Sequence, residues 1–357
     1  MSNLEKIRAR IPEGVDALLV TEIVNVGWLT GFSGSAGKAI VTREDARFIT
    51  DSRYTLQANE QVSSMPVFSF QSPVLDSDFV LENLKELGVK SLALDPTVIT
   101  FDAWQEYEQK WSGIQIWPSK GAFAGLRMIK SADEIEKLEA ACNLADACFD
   151  HVLRLIQPGV AELDISIEIE FFFKRQGAGI AFDPIVVSGE RSARPHGVPS
   201  EKKLEIGDFV TMDFGASLNG YNSDITRTVV VGEASDRHRE HYAAVLESQV
   251  AVLEQMKAGM TGAQVDAIAR DILTQHELGK FFGHGLGHGL GRLVHDTGRL
   301  SPTSTDVIEV GQVWTIEPGA YVPGFGGVRI EDDVVVEENG VRRLTHSTKE
   351  LLVLPNV

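Results

Sequence analysis

Between residues 131 and 336 the chain runs twice through one order of elements: two helices, a histidine-bearing glycine segment, and a hairpin. In the first pass a capping box of Ser131 and Glu134 opens a long helix over 132–156, which stops at the QPG of residues 157–159. A second helix follows through ELDISIEIEFFFKRQGA. Further on, KAGMTGAQVDAIARDILTQHELG repeats that junction at Gly259. RPHG then leads to the strands FVTMDFG and YNSDITRTVVV, as GHGLGHG leads to VWTIEPG and VRIEDDVVV. A duplicated helix–helix–hairpin unit predicts an α+β fold of two halves about a pseudo-twofold axis. Each hairpin then supplies two carboxylates to the crevice where the halves meet.

Those carboxylates are Asp213, Asp224, Glu317 and Glu331. If Asn219-Gly220 is a two-residue turn, Asp213 stands opposite Thr226 and Asp224 opposite Gly215, so the aspartates share a face as diagonal neighbours. Glu317 and Glu331 are an even number of residues apart, which permits a shared face if the VPGFGG loop adds no net bulge. An isolated strand acid is usually a solvated edge residue. Asp213 and Glu331, however, lie between apolar neighbours in VTMDFG and VRIEDD, where an unpartnered carboxylate is costly. Arg227 and Arg329 offer the plain account, simple salt bridges.

The glycine segment 283–291 is not a nucleotide loop, because no GxGxxG register fits it. Nor does it read as a zincin helix: His284 and His288 have the spacing, but the glycines disfavour a helix and the general-base Glu is missing. An extended segment presenting histidine fits better. Four carboxylates and the His288 imidazole then match two divalent ions held side by side, since four negative charges cancel two dications. An oxygen-rich set with one nitrogen and no thiolate prefers Mn²⁺, with Co²⁺ or Zn²⁺ able to bind the same ligands. A bridging water, readily deprotonated to hydroxide, is the expected nucleophile.

With 33 Lys+Arg against 51 Asp+Glu, the formal charge of −18 disfavours nucleic acid and anionic membrane surfaces as partners. Cys142 and Cys148 fall on different faces of the long helix and are expected to be buried small residues rather than a disulfide. The charged MSNLEKIRARIPEG has no signal-peptide core, and no run of apolar residues reaches a membrane span, so a cytoplasmic location is expected. Ahead of the duplicated region, DALLV, KAIVT, RFIT and SLALD read as strands, and LQANEQV and DFVLENLKELG as helices, of a small α/β domain. The glycine-rich WPSKGAFAG places the expected boundary near residue 122, giving domains 1–122 and 123–357.

The five ligand candidates in this order, with RSARPHG upstream and HDTG downstream, resemble the pita-bread metallopeptidases: methionine aminopeptidase, Xaa-Pro aminopeptidase, Xaa-Pro dipeptidase and the metal-free creatinase. SGSAG and FITDSRYTLQA resemble the creatinase-type N-terminal domain of the proline-specific members. The resemblance implies that Asp213 chelates one metal, Asp224 and Glu331 bridge, and His288 and Glu317 bind individual ions. It further implies that Glu317 shuttles a proton, that His196 and His295 contact substrate and stabilise the tetrahedral intermediate, and that His284 and Arg329 support the ligands or the substrate. The activity implied is hydrolysis of small Xaa-Pro peptides by a homodimer in which a neighbouring N-terminal domain walls the active-site mouth. Methionine-aminopeptidase-like specificity and a non-catalytic peptide- or protein-binding module are the alternatives. The N-terminal domain argues against the first, and the retained ligands argue against the second.

Overall fold

A computed structural model describes residues 1–354; residues 355–357 of the expected C-terminal domain lie outside it. The chain forms two compact units that divide between Arg127 and Met128. The division falls there because Ala122 and Phe123 are buried in the N-terminal core and Leu126 packs against them.

In the N-terminal unit the strands lie in the order Val67–Phe70, Ala46–Asp51, Lys38–Thr42, Ala17–Val20, Ser91–Leu94, Gln115–Pro118, with parallel and antiparallel neighbours mixed. The central strands are apolar throughout because both faces of the sheet are covered. Leu18, Val20, Val41 and Phe48 pack into one core. Leu19, Ile40, Ile49 and Leu92, pointing the other way, pack into a second. The two outermost strands are absent from the sequence reading, being half-exposed and, in QIWP, interrupted by proline. Helix Ile23–Thr30 is also missing from it, since its burial on nearly every face erases the amphipathic period.

From Met128 on, helices Ala132–Val152 and Glu162–Arg175 cover a sheet ordered Val353–Leu354, Ile225–Val231, Phe209–Phe214, Ile185–Ser188. Ile165, Ile169 and Phe173 from the second helix meet Met212 and Phe214 in that core. The other half repeats the plan. Helices Asp236–Gln255 and Gly262–Gln275 cover strands Asp296–Leu300, Gly287–Gly289, Val313–Ile316, Asp332–Glu337 and Gly340–Arg343, and Val265, Ala269 and Leu273 meet Trp314 and Ile316. The duplication is visible at the junctions. Gly159 and Gly259 take left-handed φ of 90° and 91°, as tight helix-to-helix turns require. Their amides bond Leu204 O at 2.9 Å and Ile308 O at 2.8 Å, and the helices that follow open with Glu162 N on Lys202 O and Gly262 N on Asp306 O.

Both hairpins hold the register that the sequence implies. Asn219 and Gly220 have positive φ and close a two-residue turn, so Thr226 pairs with Asp213 and Ile225 with Phe214. In the second hairpin Ile316 pairs with Asp332 and Gly319 with Arg329, which leaves Glu317 directly opposite Glu331 with no bulge between. The glycines of GHGLGHG permit close backbone approach: a Cβ at Gly287 would sit 2.0 Å from Thr315 O, and one at Gly289 2.0 Å from Thr297 O.

The halves are joined where strand Ile225–Val231 runs beside residues 326–333. Glu331 N donates to Thr226 O at 3.1 Å, Thr228 Oγ1 donates to Arg329 O at 3.1 Å, and Asp224 N donates to Asp333 Oδ2 at 2.9 Å. Arg227, 1% exposed, crosses the seam: Nη2 bonds Asp332 Oδ1 at 2.7 Å and Ser347 O at 2.9 Å, Nε bonds Thr348 O at 3.0 Å, and Nη1 reaches Glu331 O. Cys142 and Cys148 are free and buried in different clusters, and the Cys142 thiol donates to Asp333 Oδ2 at 3.3 Å. Replacing Arg227 with Ala strips the buried Asp332 of one of its two closest cations, leaving Lys349 at 2.7 Å, and strands the carbonyls of Glu331, Ser347 and Thr348. The expected loss is about 3–5 kcal/mol, a fall in melting temperature of about 10 °C by calorimetry. A loss below about 1 kcal/mol would mean the seam does not depend on this residue.

Candidate metal centre

The hairpin seam determines what converges. Asp213 and Asp224 come from the first hairpin, Glu317 and Glu331 from the second, and His288 from the short strand beside Val313–Ile316. At Glu317 and Glu331 the second hairpin opens: Glu317 N turns to Leu286 O at 2.9 Å and Glu331 N to Thr226 O at 3.1 Å. That opening carries the two glutamates from their own ladder into the interface. Ligand atoms of Asp224, His288 and Glu331 all lie within 4.8 Å of one another. Glu317 Oε1 stands 3.4 Å from His288 Nε2, and Asp224 Oδ2 3.7 Å from the same nitrogen.

These groups fit a cation better than they fit each other. His288 Nδ1 faces Gly289 O at 3.2 Å, so it carries the proton and Nε2 keeps its lone pair. Burial, opposed by the bond to Gly289 O and aided by the Arg299 charge, holds its pKa down to about 4, so the ring is neutral. That lone pair faces the oxygens of Glu317 and Asp224. Asp213 Oδ1, Asp224 Oδ1 and Glu331 Oε1 are buried without a hydrogen-bond partner among the described residues. Burial and the mutual repulsion of the acids raise Asp224 and Glu331 well above the usual carboxylate range. Burial, with Asp213 adding and Arg329 opposing, pushes Glu317 up to about 8. Divalent ions would satisfy the orphaned oxygens and relieve the repulsion together.

The plain salt-bridge account holds for one acid only. Arg329 bonds Asp213 Oδ2, whereas Arg227 is spent on Asp332, outside the set. Arg329 is itself fixed on every side: Nε on Thr226 Oγ1 at 3.0 Å, Nη1 on Pro195 O at 3.2 Å and on the Tyr321 hydroxyl at 2.8 Å. Since Arg329 donates to that hydroxyl, the Tyr321 proton points to His284 Nε2 at 2.9 Å, and His284 Nδ1–H donates to Gly285 O at 2.7 Å. Both nitrogens of His284 are thereby engaged within the protein. His284 thus connects through the Tyr321 hydroxyl to Arg329, which bonds Asp213.

His295 lies at the exposed side, its ring edge-on to His288 with centroids 4.4 Å apart. His196 is exposed on the loop whose Pro195 carbonyl Arg329 holds. Sequence reasoning passed over Tyr321, Thr226, Thr315 and Arg299. Thr226 Oγ1 donates to Glu331 Oε2 at 2.6 Å, Thr315 Oγ1 to Glu317 Oε1 at 3.3 Å, and Arg299 pairs with His288 across adjacent strands. For Tyr321 a signal was present in the glycines that make room for its ring. A Cβ at Gly319 would fall 2.5 Å from its hydroxyl and one at Gly327 2.7 Å from Cδ1.

Residues 136–338 match the model of metallopeptidase family M24, and residues 4–129 match the creatinase/prolidase N-terminal domain. The chain is 37% identical to the Xaa-Pro dipeptidase of Pyrococcus furiosus, over 98% of this chain and 99% of that one. Among solved structures, the Xaa-Pro dipeptidase from Bacillus anthracis matches with a TM-score of 0.94 at 43% identity, covering 99% of each chain. The X-Pro aminopeptidase from Thermotoga maritima matches with a TM-score of 0.90 at 35% identity, covering 95% of this chain and 98% of that one. The duplicated fold, the two-domain plan and these matches together establish that the chain belongs to metallopeptidase family M24, whose members work with divalent metal ions.

Proposed function

We propose that this protein is an exopeptidase that hydrolyses the bond between an N-terminal residue and proline, using two divalent cations held by Asp213, Asp224, His288, Glu317 and Glu331. The observation that carries this reading is the convergence of Asp224, His288 and Glu331 ligand atoms within 4.8 Å, in a chain of a metallopeptidase family. Mn²⁺ is the preferred ion because the donors are mostly hard oxygens with one imidazole. A homodimer belongs to the same reading, on family likeness. Bound cations supply Lewis-acid polarisation of the scissile carbonyl and an acidified water.

The chain's own residues do the rest. Glu317, the acid of the set with the more exposed side chain beside His288, can take up a proton at its carboxylate and pass it to the departing proline nitrogen. His196 and His295, both exposed, would steady the substrate carbonyl as charge develops on it. Arg329 and Tyr321 keep Asp213 from swinging out of the set. Arg299 favours the dipeptidase form of the reading. It is exposed, pairs with His288 across the strands, and its charge helps depress both His288 and His295. A cation there suits the free carboxylate of an Xaa-Pro dipeptide.

Metal-stripped protein, assayed with Xaa-Pro dipeptides and Xaa-Pro-Yaa peptides before and after Mn²⁺ is restored, is expected to be inactive and then active. No turnover of either substrate by the reloaded protein would sink the catalytic reading. Asp224→Asn and Glu331→Gln should each lower kcat by about a hundredfold or more, and near-normal turnover by either counts against the ligand assignment. Arg299→Met should raise KM for the dipeptide by about ten- to thirtyfold while leaving the tripeptide nearly unchanged, as loss of a charge-assisted bond implies.

Stability gives a readout independent of turnover. The raised carboxylates keep protons in the folded state that the unfolded chain releases, so their stabilising effect is complete below the unfolded values and fades as pH rises toward about 8. Cations bind in place of those protons. The rise in melting temperature on adding Mn²⁺ should therefore be larger at about pH 8 than at about pH 5.5. Equal rises at both would contradict a site built from these acids.

A further inference from the structure

Glu162 is completely buried at the start of the second helix of the first half, and a carboxylate in such a place is expensive unless every lone pair is used. Here they are. Oε1 accepts from Ser188 N at 2.8 Å, Ser188 Oγ at 2.9 Å and Arg191 Nε at 3.2 Å. Oε2 accepts from Ser200 N at 3.1 Å, Ser200 Oγ at 2.8 Å and Arg191 Nε at 3.1 Å. One carboxylate thus ties together the two ends of the segment 188–200. Arg191, held by that carboxylate, reaches across the segment with Nη2 on Val198 O at 2.7 Å. His196 sits within the closed loop, beside the Pro195 carbonyl that Arg329 holds.

The other half shows that the fold itself does not require this acid. Glu162 N on Lys202 O and Leu163 N on Ser200 O are matched there by Gly262 N on Asp306 O and Ala263 N on Ser304 O. The residue equivalent to Glu162 is therefore Gly262, where a Cβ would already meet Arg299 O at 2.4 Å and Ser304 Oγ at 2.5 Å. The same helix-to-loop junction forms without a carboxylate. What the first half gains by burying one is a closed loop. In the second half the histidine segment is gripped from another position. Asp266 Oδ1 accepts from Leu286 N at 3.1 Å, and its partner Arg270 holds Phe282 O and His284 O, both at 2.8 Å. Each half thus has a buried helix carboxylate, paired with an arginine, that immobilises its histidine-bearing segment.

We propose that Glu162 is a positioning residue that locks the 188–200 loop so that His196 stays in place at the mouth of the metal centre, an inference that rests on the reading of His196 as a substrate-side residue. Glu162→Gln replaces one accepting oxygen by an NH₂ that faces donors, loosening one end of the loop. The holoenzyme variant is expected to lose about ten- to a hundredfold in kcat/KM on an Xaa-Pro dipeptide. Its Mn²⁺ affinity, by calorimetry, should stay within about twofold of wild type, because no ligand is touched. Amides of 189–199 should exchange with deuterium about tenfold faster, while those of Phe209–Phe214 and Val313–Ile316 keep their protection. Added to His196→Ala, Glu162→Gln should cost almost nothing more, since the residue it positions is gone.

A loss that persists in full beside His196→Ala, a matching fall in Mn²⁺ affinity, or unchanged exchange in the loop overturns the assignment. Should Glu162→Gln fail to fold, Ser200→Ala removes the 2.8 Å hydroxyl bond and leaves the backbone one. It must then show the same pattern at smaller amplitude, and its absence counts equally against the role. Exchange is read without substrate, so wild-type protein that cleaves no Xaa-Pro peptide refutes the functional reading while a loosened loop still establishes the clamp.

Discussion

Everything at the centre depends on how strand Ile225–Val231 meets residues 326–333. These stretches belong to different halves and do not form a regular ladder; side chains take over the bonding. Thr228 both donates to Arg329 O and accepts from Arg329 N, Thr226 binds Glu331 through its backbone and its hydroxyl, and Arg227 bonds Asp332 and the Glu331 carbonyl. A threonine hydroxyl can donate and accept, which is what two non-paired strands need from each other. Acids on both strands are thereby brought closer than like charges would come unaided, and divalent cations would relieve the repulsion among them.

Around that centre the protein supplies rigidity in layers. Arg329, with Thr226, Tyr321 and Pro195 O as partners, holds Asp213 and meets the first half's loop. Farther out, Glu162 with Arg191 and Asp266 with Arg270 clamp the segments that bear His196 and His284. Buried charges of this kind contribute little net stability, and their value lies in geometry.

Much of this was legible in the residues. Asn219-Gly220 selects a two-residue turn, and the turn sets the register that makes Asp213 and Asp224 diagonal neighbours. An even separation sufficed for Glu317 and Glu331 because the loop between them adds no bulge. The burial of Asp213 and Glu331 followed from their apolar neighbours in the sequence. Hidden from a sequence reading were partners whose local context is ordinary. Thr226 and Thr315 are common strand residues, and Arg299 is one of many surface arginines until strand pairing sets it beside His288. Edge strands Val67–Phe70 and Gln115–Pro118 went unread because half-exposure leaves no period.

By itself, then, the sequence determined the duplication, the strand registers and the kinds of donor atom, because these rest on periodicity, turn chemistry and residue type within short spans. Only the tertiary structure decided which acids meet. It sent Arg227 to Asp332 rather than to the carboxylates that converge at the seam, and turned the Tyr321 hydroxyl toward Arg329 and His284. The first of these joins residues 105 positions apart, and no local rule reaches that far, because it follows from how the two separately packed halves are pressed together.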